Sequence, residues 1–171
     1  PDDVPPRLIQ IGVPAVFSLS LWDGTADRLE TWLVKQFKLL YGIKPEIAAY
    51  WIENDALILL LDALDEVPEK ARASCVVALN EFHSRHSAQV VVSSRQHEYE
   101  ETGYRLGVGA AILLKPLTDE QIDAFVSEIG PDGQILSDLF AQVSKLKELA
   151  QNPFMLTVMA TSSAELVTAL T

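Results

Sequence analysis

The amino-acid sequence predicts an α/β domain with a parallel sheet, followed by a small helical subdomain. Up to residue 117, short apolar segments alternate with segments of helical periodicity in the order strand, helix, strand, helix, strand. This order is typical of a layered α/β fold. From Thr118 onward, which forms a capping-box pair with Gln121, almost every segment reads as helix, with breaks at 130–133 and 152–153. We therefore assign residues 1–117 to an α/β core and residues 118–171 to the helical subdomain.

Four apolar runs are the candidate strands, at residues 13–21, 56–61, 89–92 and 110–114. The second run is continuously apolar, whereas a strand with one wet face would alternate apolar and polar residues. A continuous run is typical of a strand covered on both faces of a parallel sheet. The sequence therefore predicts helices on both sides of this strand.

Three helices are predicted between these strands. Asp27 and Glu30 can form a capping pair at the start of the first helix, and Gly42 ends it. Pro45 and Pro68 suit the first turns of the second and third helices. The apolar positions on these helices are Leu29, Leu33, Phe37 and Leu40, then Ile47, Tyr50 and Trp51, then Cys75, Leu79 and Phe82.

The composition excludes several classes of partner. Thirteen Lys and Arg residues against 24 Asp and Glu residues give a formal net charge of −11. Nucleic acids and anionic membranes need clustered Lys and Arg, and the sequence has no such cluster. The single cysteine, Cys75, excludes an internal disulfide, and a reducing compartment is the default for such a chain. We therefore predict a cytoplasmic protein that binds neither nucleic acid nor membrane.

Three carboxylates directly follow the second predicted strand: Asp62, Asp65 and Glu66. The carboxyl ends of parallel strands open onto the crevice where ligands bind. Crowded carboxylates repel one another unless a cation is present, and Mg²⁺ with nucleotide phosphates would supply one. The alternative is structural, since Asp65 and Glu66 also precede a helix near Pro68, where the helix dipole favours acidic residues.

The segment LILLLDALDEV, residues 57–67, resembles the Walker B segment of NACHT-type NTPases, which belong to the signal-transducing ATPases with numerous domains. Other segments resemble the family in the same order: VVVSSR (90–95) its sensor-1 strand, LKPLTDEQIDAFV (114–126) its junction to the helical subdomain, and LAQNPFMLTVM (149–159) its proline-bearing helix. The segments ETWL (30–33) and LLYGI (39–43) look like bacterial members. The resemblance covers nearly the whole chain and implies a three-layer P-loop NTPase-like sheet.

The resemblance implies roles for the three carboxylates. Asp62 would hold Mg²⁺ directly or through water. Asp65 and Glu66 resemble the family's acidic pair, of which one orients or deprotonates the attacking water, and we favour Glu66. The family often has Gly where this sequence has the small residue Ala63.

Two further residues take roles from the resemblance. Arg95, at the end of a strand expected to be buried, would sense the γ-phosphate. Its alternative is a solvated arginine after a serine turn. Pro153 would lie against adenine, although it is also a first-turn proline of a helix capped by Asn152. The histidines His83, His86 and His97 lack the spacing of a zinc site and are expected on the surface.

The phosphate loop of such ATPases, G-x-x-x-x-G-K-[S/T], is missing, because none of the eight glycines is followed by Lys. The resemblance places this loop on a strand and helix before residue 1, with that strand in the middle of the sheet. We therefore expect neighbouring strands with unpaired edges, which another copy can pair. We also predict that this chain alone neither binds ATP tightly nor hydrolyses it.

The function implied is a regulatory ATP/ADP switch, with Mg²⁺ as cofactor and hydrolysis coupled to signalling or oligomerisation in the complete domain. Its partners would be the nucleotide and either further copies or other domains. Two alternatives stay open. One is a non-catalytic interaction module that keeps the fold, and the other is an AAA+-like motor ATPase, for which no arginine finger can be identified.

Overall fold

The computed structural model describes residues 12–26, 28–101 and 103–162. The chain divides between Ala111 and Ile112 into two compact units, a little before the boundary at 117/118 that the sequence predicts. The predicted helix cap at Asp27 lies outside the described residues. Within the described ranges, no helix is both long and apolar enough to cross a bilayer.

Within the described residues, the first unit contains a parallel sheet of three strands in the order β1-β2-β3. These are β1 (Val13–Ser18), β2 (Leu57–Asp62) and β3 (Gln89–Val92). In register, Ser18 pairs with Asp62, and Leu61 pairs with Val92. The mixed α/β class and the parallel sheet are therefore confirmed. The first strand is shorter than predicted, because residues Leu19–Leu21 turn into a 3₁₀ helix that buries Leu19.

Helices α1 (Leu29–Tyr41), α2 (Pro45–Glu53), α3 (Glu69–Arg85) and α4 (Gln96–Glu101) complete the first unit. Gly42 adopts a left-handed conformation with φ of 66° and ends α1 as predicted, since glycine bears no side chain that would clash there. Of the apolar residues named on α2, Trp51 packs against the core, whereas Ile47 and Tyr50 are exposed and Ala48 and Ile52 are buried in their place.

The helices bury one face of the sheet. Leu57, Leu59 and Leu61 of β2 are almost completely buried in a core with residues of α1 and α3. The positions predicted on the apolar faces of these two helices lie in the same core: Leu33, Phe37, Cys75, Leu79 and Phe82. Leu40, at the end of the same stripe on α1, is exposed.

The other face of the sheet is more open than the sequence predicts. Val16, Leu60 and Val91 pair in one row across the three strands, and Val16 and Val91 are 51% and 58% exposed. The second covering layer predicted from the continuous apolar run is not seen among the described residues. Burial in β2 therefore comes from the helices on one face and from the flanking strands.

The fourth strand predicted at 110–114 is wrong. This segment has no regular secondary structure, and Ile112 and Leu114 are 90% and 89% exposed. An apolar run becomes a strand only where a neighbouring strand can pair with its backbone, so strand propensity depends strongly on context. No such pairing is present among the described strands.

As far as residue 162, the second unit contains four helices: α5 (Asp119–Glu128), α6 (Pro131–Gln142), α7 (Ser144–Ala150) and α8 (Pro153–Thr161). The capping box predicted at the start of α5 is confirmed, because Thr118 Oγ1 accepts from the Gln121 N–H while Gln121 Oε1 accepts from the Thr118 N–H. A break also separates α5 from α6 and another separates α7 from α8, as predicted, but the first is shorter than predicted because Pro131 already begins α6. The core of this unit consists of Ile122, Val126, Leu136, Leu139, Phe140, Ala150, Leu156 and Met159.

Candidate functional site at the carboxyl ends of the strands

A sharp turn at the end of β2 directs its carboxylates to the edge of the sheet. Asp62 is the exposed last residue of β2, and Ala63 follows in the left-handed conformation with φ of 61° and ψ of 52°. Residues Leu64–Glu66 then form a single 3₁₀ turn whose first residue, Leu64, is fully buried. The buried leucine anchors the turn, so Asp65 and Glu66 stay close to the end of the strand.

Ser93, directly after β3, holds this turn in place. Its hydroxyl donates a hydrogen bond to Asp62 Oδ1 and accepts one of 3.1 Å from the Ala63 N–H. Its backbone N–H donates to the Leu61 carbonyl, and its carbonyl accepts from the Leu64 N–H, both at 3.0 Å. Ser93 lies in the segment VVVSSR but was not among the predicted site residues. A polar residue directly after the neighbouring parallel strand was the signal that could have found it.

Asp65 and Arg95 are brought together in an ion pair. Arg95 Nε lies 3.4 Å from Asp65 Oδ2, and the Arg95 N–H donates to Asp65 Oδ1 at 3.1 Å. The side chain of Asp65 is 9% exposed and that of Arg95 74%, so the arginine covers the carboxylate while its far end faces solvent. Arg95 Nη1 also lies 3.8 Å from Glu98.

The strand before Arg95 is less buried than expected. Among the described strands, only β2 pairs with β3, so β3 lies at an edge and its residues alternate between exposed and half-buried. Arg95 therefore follows an edge strand and not a buried one.

Glu66 ends the 3₁₀ turn, and its side chain is exposed. Among the described residues, its carboxylate has no hydrogen bond or ion pair. Arg72 of α3 stabilises the turn, because its Nη2 donates to the Asp65 carbonyl at 2.8 Å and to the Val67 carbonyl at 3.2 Å. The turn is thus held by its backbone, which leaves the Glu66 carboxylate available to a reactant.

Pro153 lies in the second unit, in the first turn of α8. Asn152 Oδ1 accepts from the Phe154 N–H at 2.9 Å and from the Met155 N–H at 3.3 Å, so the predicted helix cap is confirmed. Proline, which has no backbone N–H, fits this position because an N–H in the first turn of a helix would find no hydrogen-bond partner within the helix.

The donor set at the end of β2 suits a hard cation only in part. Asp62 and Ser93 offer neighbouring oxygens, which Mg²⁺ prefers. Asp65 is occupied by Arg95, and no group of three His, Cys, Asp or Glu residues within the described ranges converges on a metal position. Mg²⁺ usually binds through one or two carboxylates together with water and phosphate oxygens. Asp62 and Ser93 could therefore supply at most two of the oxygens that a magnesium ion needs.

The expectation that all three histidines lie on the surface is wrong for one of them. His83 and His97 are exposed. The side chain of His86 is only 14% exposed, because it stacks on Phe82 and lies between two carboxylates. This cluster lies where β2 and β3 begin, so it is distinct from the carboxylates at their ends.

Comparison of this chain with protein-family models, with curated proteins and with solved structures finds no match. The resemblance to NACHT-type NTPases therefore rests on the motifs in the sequence, and the roles that it implies stay predictions.

Proposed function

We propose that this chain belongs to an ATP/ADP-binding regulatory switch of the NACHT kind and supplies the residues that contact its metal ion. Asp62 holds Mg²⁺, Glu66 orients or deprotonates the attacking water, Arg95 senses the γ-phosphate and Pro153 packs against adenine. The switch works in the cytoplasm, and its partners are the nucleotide and either other domains or further copies of the chain.

The observation that carries this proposal is the junction of Asp62 with Ser93. Two polar side chains meet at the carboxyl ends of adjacent parallel strands, which is where open α/β sheets bind their ligands. The ends of both strands are tied together by side-chain and backbone hydrogen bonds. An oxygen held in this way needs little reorganisation when a cation arrives.

Mg²⁺ would supply charge neutralisation for phosphate oxygens at this edge. The protein's own residues hold the carboxylates in position. Ser93 orients the Asp62 carboxylate, and the buried Leu64 keeps the turn compact. The Glu66 carboxylate stays exposed on the same turn, where it can accept a proton from water.

Arg95 acts through exchange of partners. Its guanidinium pairs with Asp65 at 3.4 Å. A phosphate group carries more charge than a carboxylate and accepts bidentate hydrogen bonds from arginine, so it can compete for the same side chain. Release of Asp65 would then report that a phosphate is present.

Because the sequence contains no phosphate loop, these residues supply only part of a nucleotide site. The backbone N–H groups and the lysine of that loop provide much of the phosphate binding in P-loop NTPases. Affinity of this chain for Mg–ATP is therefore expected to be weak, and ATP hydrolysis is not expected.

A test can use Mn²⁺ in place of Mg²⁺, because Mn²⁺ broadens NMR signals close to its binding site. We expect Mn²⁺ with ATP to broaden the amide signals of Asp62, Ala63 and Ser93 selectively, and Asp62→Asn to remove this effect. Asp132→Asn, an exposed carboxylate in α6, is the matched control. Equal broadening in wild type and Asp62→Asn would contradict the proposal.

A second candidate is a non-catalytic interaction module that retains the fold. The Asp65–Arg95 ion pair favours it, since two of the proposed catalytic groups neutralise each other in this structure. The two candidates differ in their response to ATP. Displacement of Arg95 from Asp65, followed through the Arg95 Nε–H signal, supports the switch, whereas an unchanged signal at saturating Mg–ATP supports the module.

A further inference from the structure

The end of β1 brings a third oxygen-bearing side chain to the edge where Asp62 meets Ser93. In register, Ser18 of β1 lies beside Asp62 of β2, and Ser93 donates to Asp62 from the β3 side. Adjacent strands lie about 4.8 Å apart, and register partners direct their side chains to the same face of the sheet. Ser18, Asp62 and Ser93 therefore form one polar row across the ends of the three strands.

This polar row lies on the open face of the sheet. Two residues earlier, Val16, Leu60 and Val91 form a row on the same face, since strand side chains return to a face at every second residue. Ala15 and Phe17, which point to the opposite face, are buried in the core. Because Val16 and Val91 are exposed, solvent and small ligands can approach the polar row across this face.

Packing holds Ser18 and Asp62 beside each other. β1 and β2 are each followed by a 3₁₀ turn, Leu19–Leu21 and Leu64–Glu66 respectively. The first residue of each turn is a leucine that is completely buried in the same core, and the two turns contact each other. The carboxyl ends of the two strands are thus fixed relative to each other in the folded first unit.

The Ser18 hydroxyl has no role as a helix cap. Ser18 occupies the cap position before the turn Leu19–Leu21, yet its side chain makes no capping hydrogen bond there. Among the described residues, its hydroxyl has one partner, the Ser20 hydroxyl at 2.6 Å, and either oxygen can be the donor. When Ser18 donates this bond, the lone pairs of its own oxygen are left for a ligand.

The hydroxyl of Ser93 has less capacity left than that of Ser18. Ser93 already donates to Asp62 Oδ1 and accepts from the Ala63 N–H. Within the described part of the chain, Asp62 Oδ2 has no hydrogen bond. The oxygens most available to a hard cation in this row are therefore Asp62 Oδ2 and Ser18 Oγ. Ser93 and Ser20 are the neighbouring hydroxyls that orient them, as the partners of metal ligands commonly do.

We infer that Ser18 supplies a further oxygen ligand, directly or through a water molecule, to the divalent cation that the proposed function places at Asp62. Ser20 is its positioning residue, because it accepts the Ser18 proton. This inference rests on the proposed function, since it concerns the same edge of the sheet. One carboxylate and one neutral hydroxyl compensate little of the cation's charge, so phosphate oxygens must complete the site and the cation alone binds weakly.

Mn²⁺ titration of the whole chain in the presence of ATP, followed by NMR, tests the contribution of Ser18. We expect Ser18→Ala to raise the Mn²⁺ concentration that half-broadens the Asp62 amide signal about tenfold, and Ser20→Ala to raise it less. Ser137→Ala, which removes an exposed hydroxyl from α6, is the matched control and should leave this concentration unchanged. An unchanged concentration in Ser18→Ala would overturn the inference and leave the proposed function intact, whereas a sharp Asp62 signal in wild type would overturn both.

Exchange of the ligand atom separates contact with the metal from a structural effect. A cysteine thiolate is a strong ligand for Zn²⁺, so Ser18→Cys should bind Zn²⁺ about tenfold more tightly than wild type, as calorimetric titration would measure. Ser137→Cys is the control, and the native Cys75 is completely buried in both variants. Equal Zn²⁺ affinity in Ser18→Cys and Ser137→Cys would show that residue 18 does not face a metal position and would overturn the inference.

Discussion

The Ser93 hydroxyl donates a hydrogen bond to the Asp62 carboxylate and accepts one from the backbone N–H of Ala63. One side chain directly after β3 thus orients the last residue of β2 and also stabilises the strained residue that follows it. The functional carboxylate and the turn that presents it depend on the same serine. Changes at this serine should therefore affect stability even in the absence of any ligand.

Replacement of Ser93 by alanine should lower the free energy of unfolding by about 1 kcal/mol, because Asp62 and the Ala63 N–H both lose a partner while water can replace part of it. Urea unfolding followed by circular dichroism measures this change. Ser94→Ala is the matched control, since the Ser94 hydroxyl bonds only to the neighbouring Arg95 carbonyl. Equal losses in the two variants would contradict a special role for Ser93.

Replacement of Ala63 by glycine should stabilise the protein by up to about 1 kcal/mol. Ala63 has φ of 61°, a conformation that costs a residue with a Cβ about 1–2 kcal/mol, whereas glycine loses part of this gain to the greater entropy of its unfolded chain. Ala73→Gly, within α3, is expected to destabilise by about 1 kcal/mol because glycine is a poor helix former. Thermal unfolding of both variants measures these changes in stability. Effects of the same sign would show that strain at residue 63 is unimportant.

Removal of the Tyr41 hydroxyl should open the outer edge of β1. This hydroxyl donates to the Val16 carbonyl at 2.8 Å and accepts from the Val16 N–H at 3.2 Å, while the ring packs edge-on against Phe17 at 5.7 Å. Tyr41→Phe keeps the ring but leaves the backbone of an edge strand to solvent or to another chain.

We expect Tyr41→Phe to lose about 1 kcal/mol of stability and to associate more than wild type at high concentration. Light scattering during dilution measures the association. Tyr50→Phe, an exposed tyrosine on α2, controls for the loss of a hydroxyl. Unchanged association in Tyr41→Phe would mean that the Tyr41 hydroxyl does not protect this edge.

Cys75 should be inert to thiol reagents in the folded protein. It is completely buried in α3, and burial raises the pKa of its thiol to about 12. The reactive thiolate is therefore almost absent at about pH 8. Labelling by a thiol-specific reagent should proceed at the rate of global unfolding and should become fast in denaturant. Fast labelling under native conditions would contradict the buried position.

Acidification should weaken the contribution of Asp55. Its pKa is lowered in the folded state, so its contribution is fully present above its unfolded value of about 4 and is lost as pH falls below it. Asp55→Asn should therefore be less stable than wild type at neutral pH and should lose less stability between about pH 5 and about pH 3. An equal slope in Asp55→Asn and wild type would refute the prediction.

Local patterns in the sequence were enough to find most of the regular elements. Gly42, Thr118 with Gln121, and Asn152 with Pro153 end or start helices through bonds among neighbouring residues, so their effect is readable in a short window. The apolar stripe of α3 and the run that forms β2 are equally local. The failures at 110–114 and at Leu40 concern exposure, which depends on what lies beside a segment and not on its own composition.

The sequence by itself determined that the chain is α/β, that helices follow the sheet along the chain, and that a carboxylate cluster follows β2. Only the tertiary structure decided the strand order, the open second face of the sheet, and the meetings of Asp62 with Ser93 and of His86 with Asp55. The physical reason is distance along the chain. Caps and apolar periodicity arise among neighbours, whereas these contacts join residues 31 positions apart that become adjacent only when parallel strands pair.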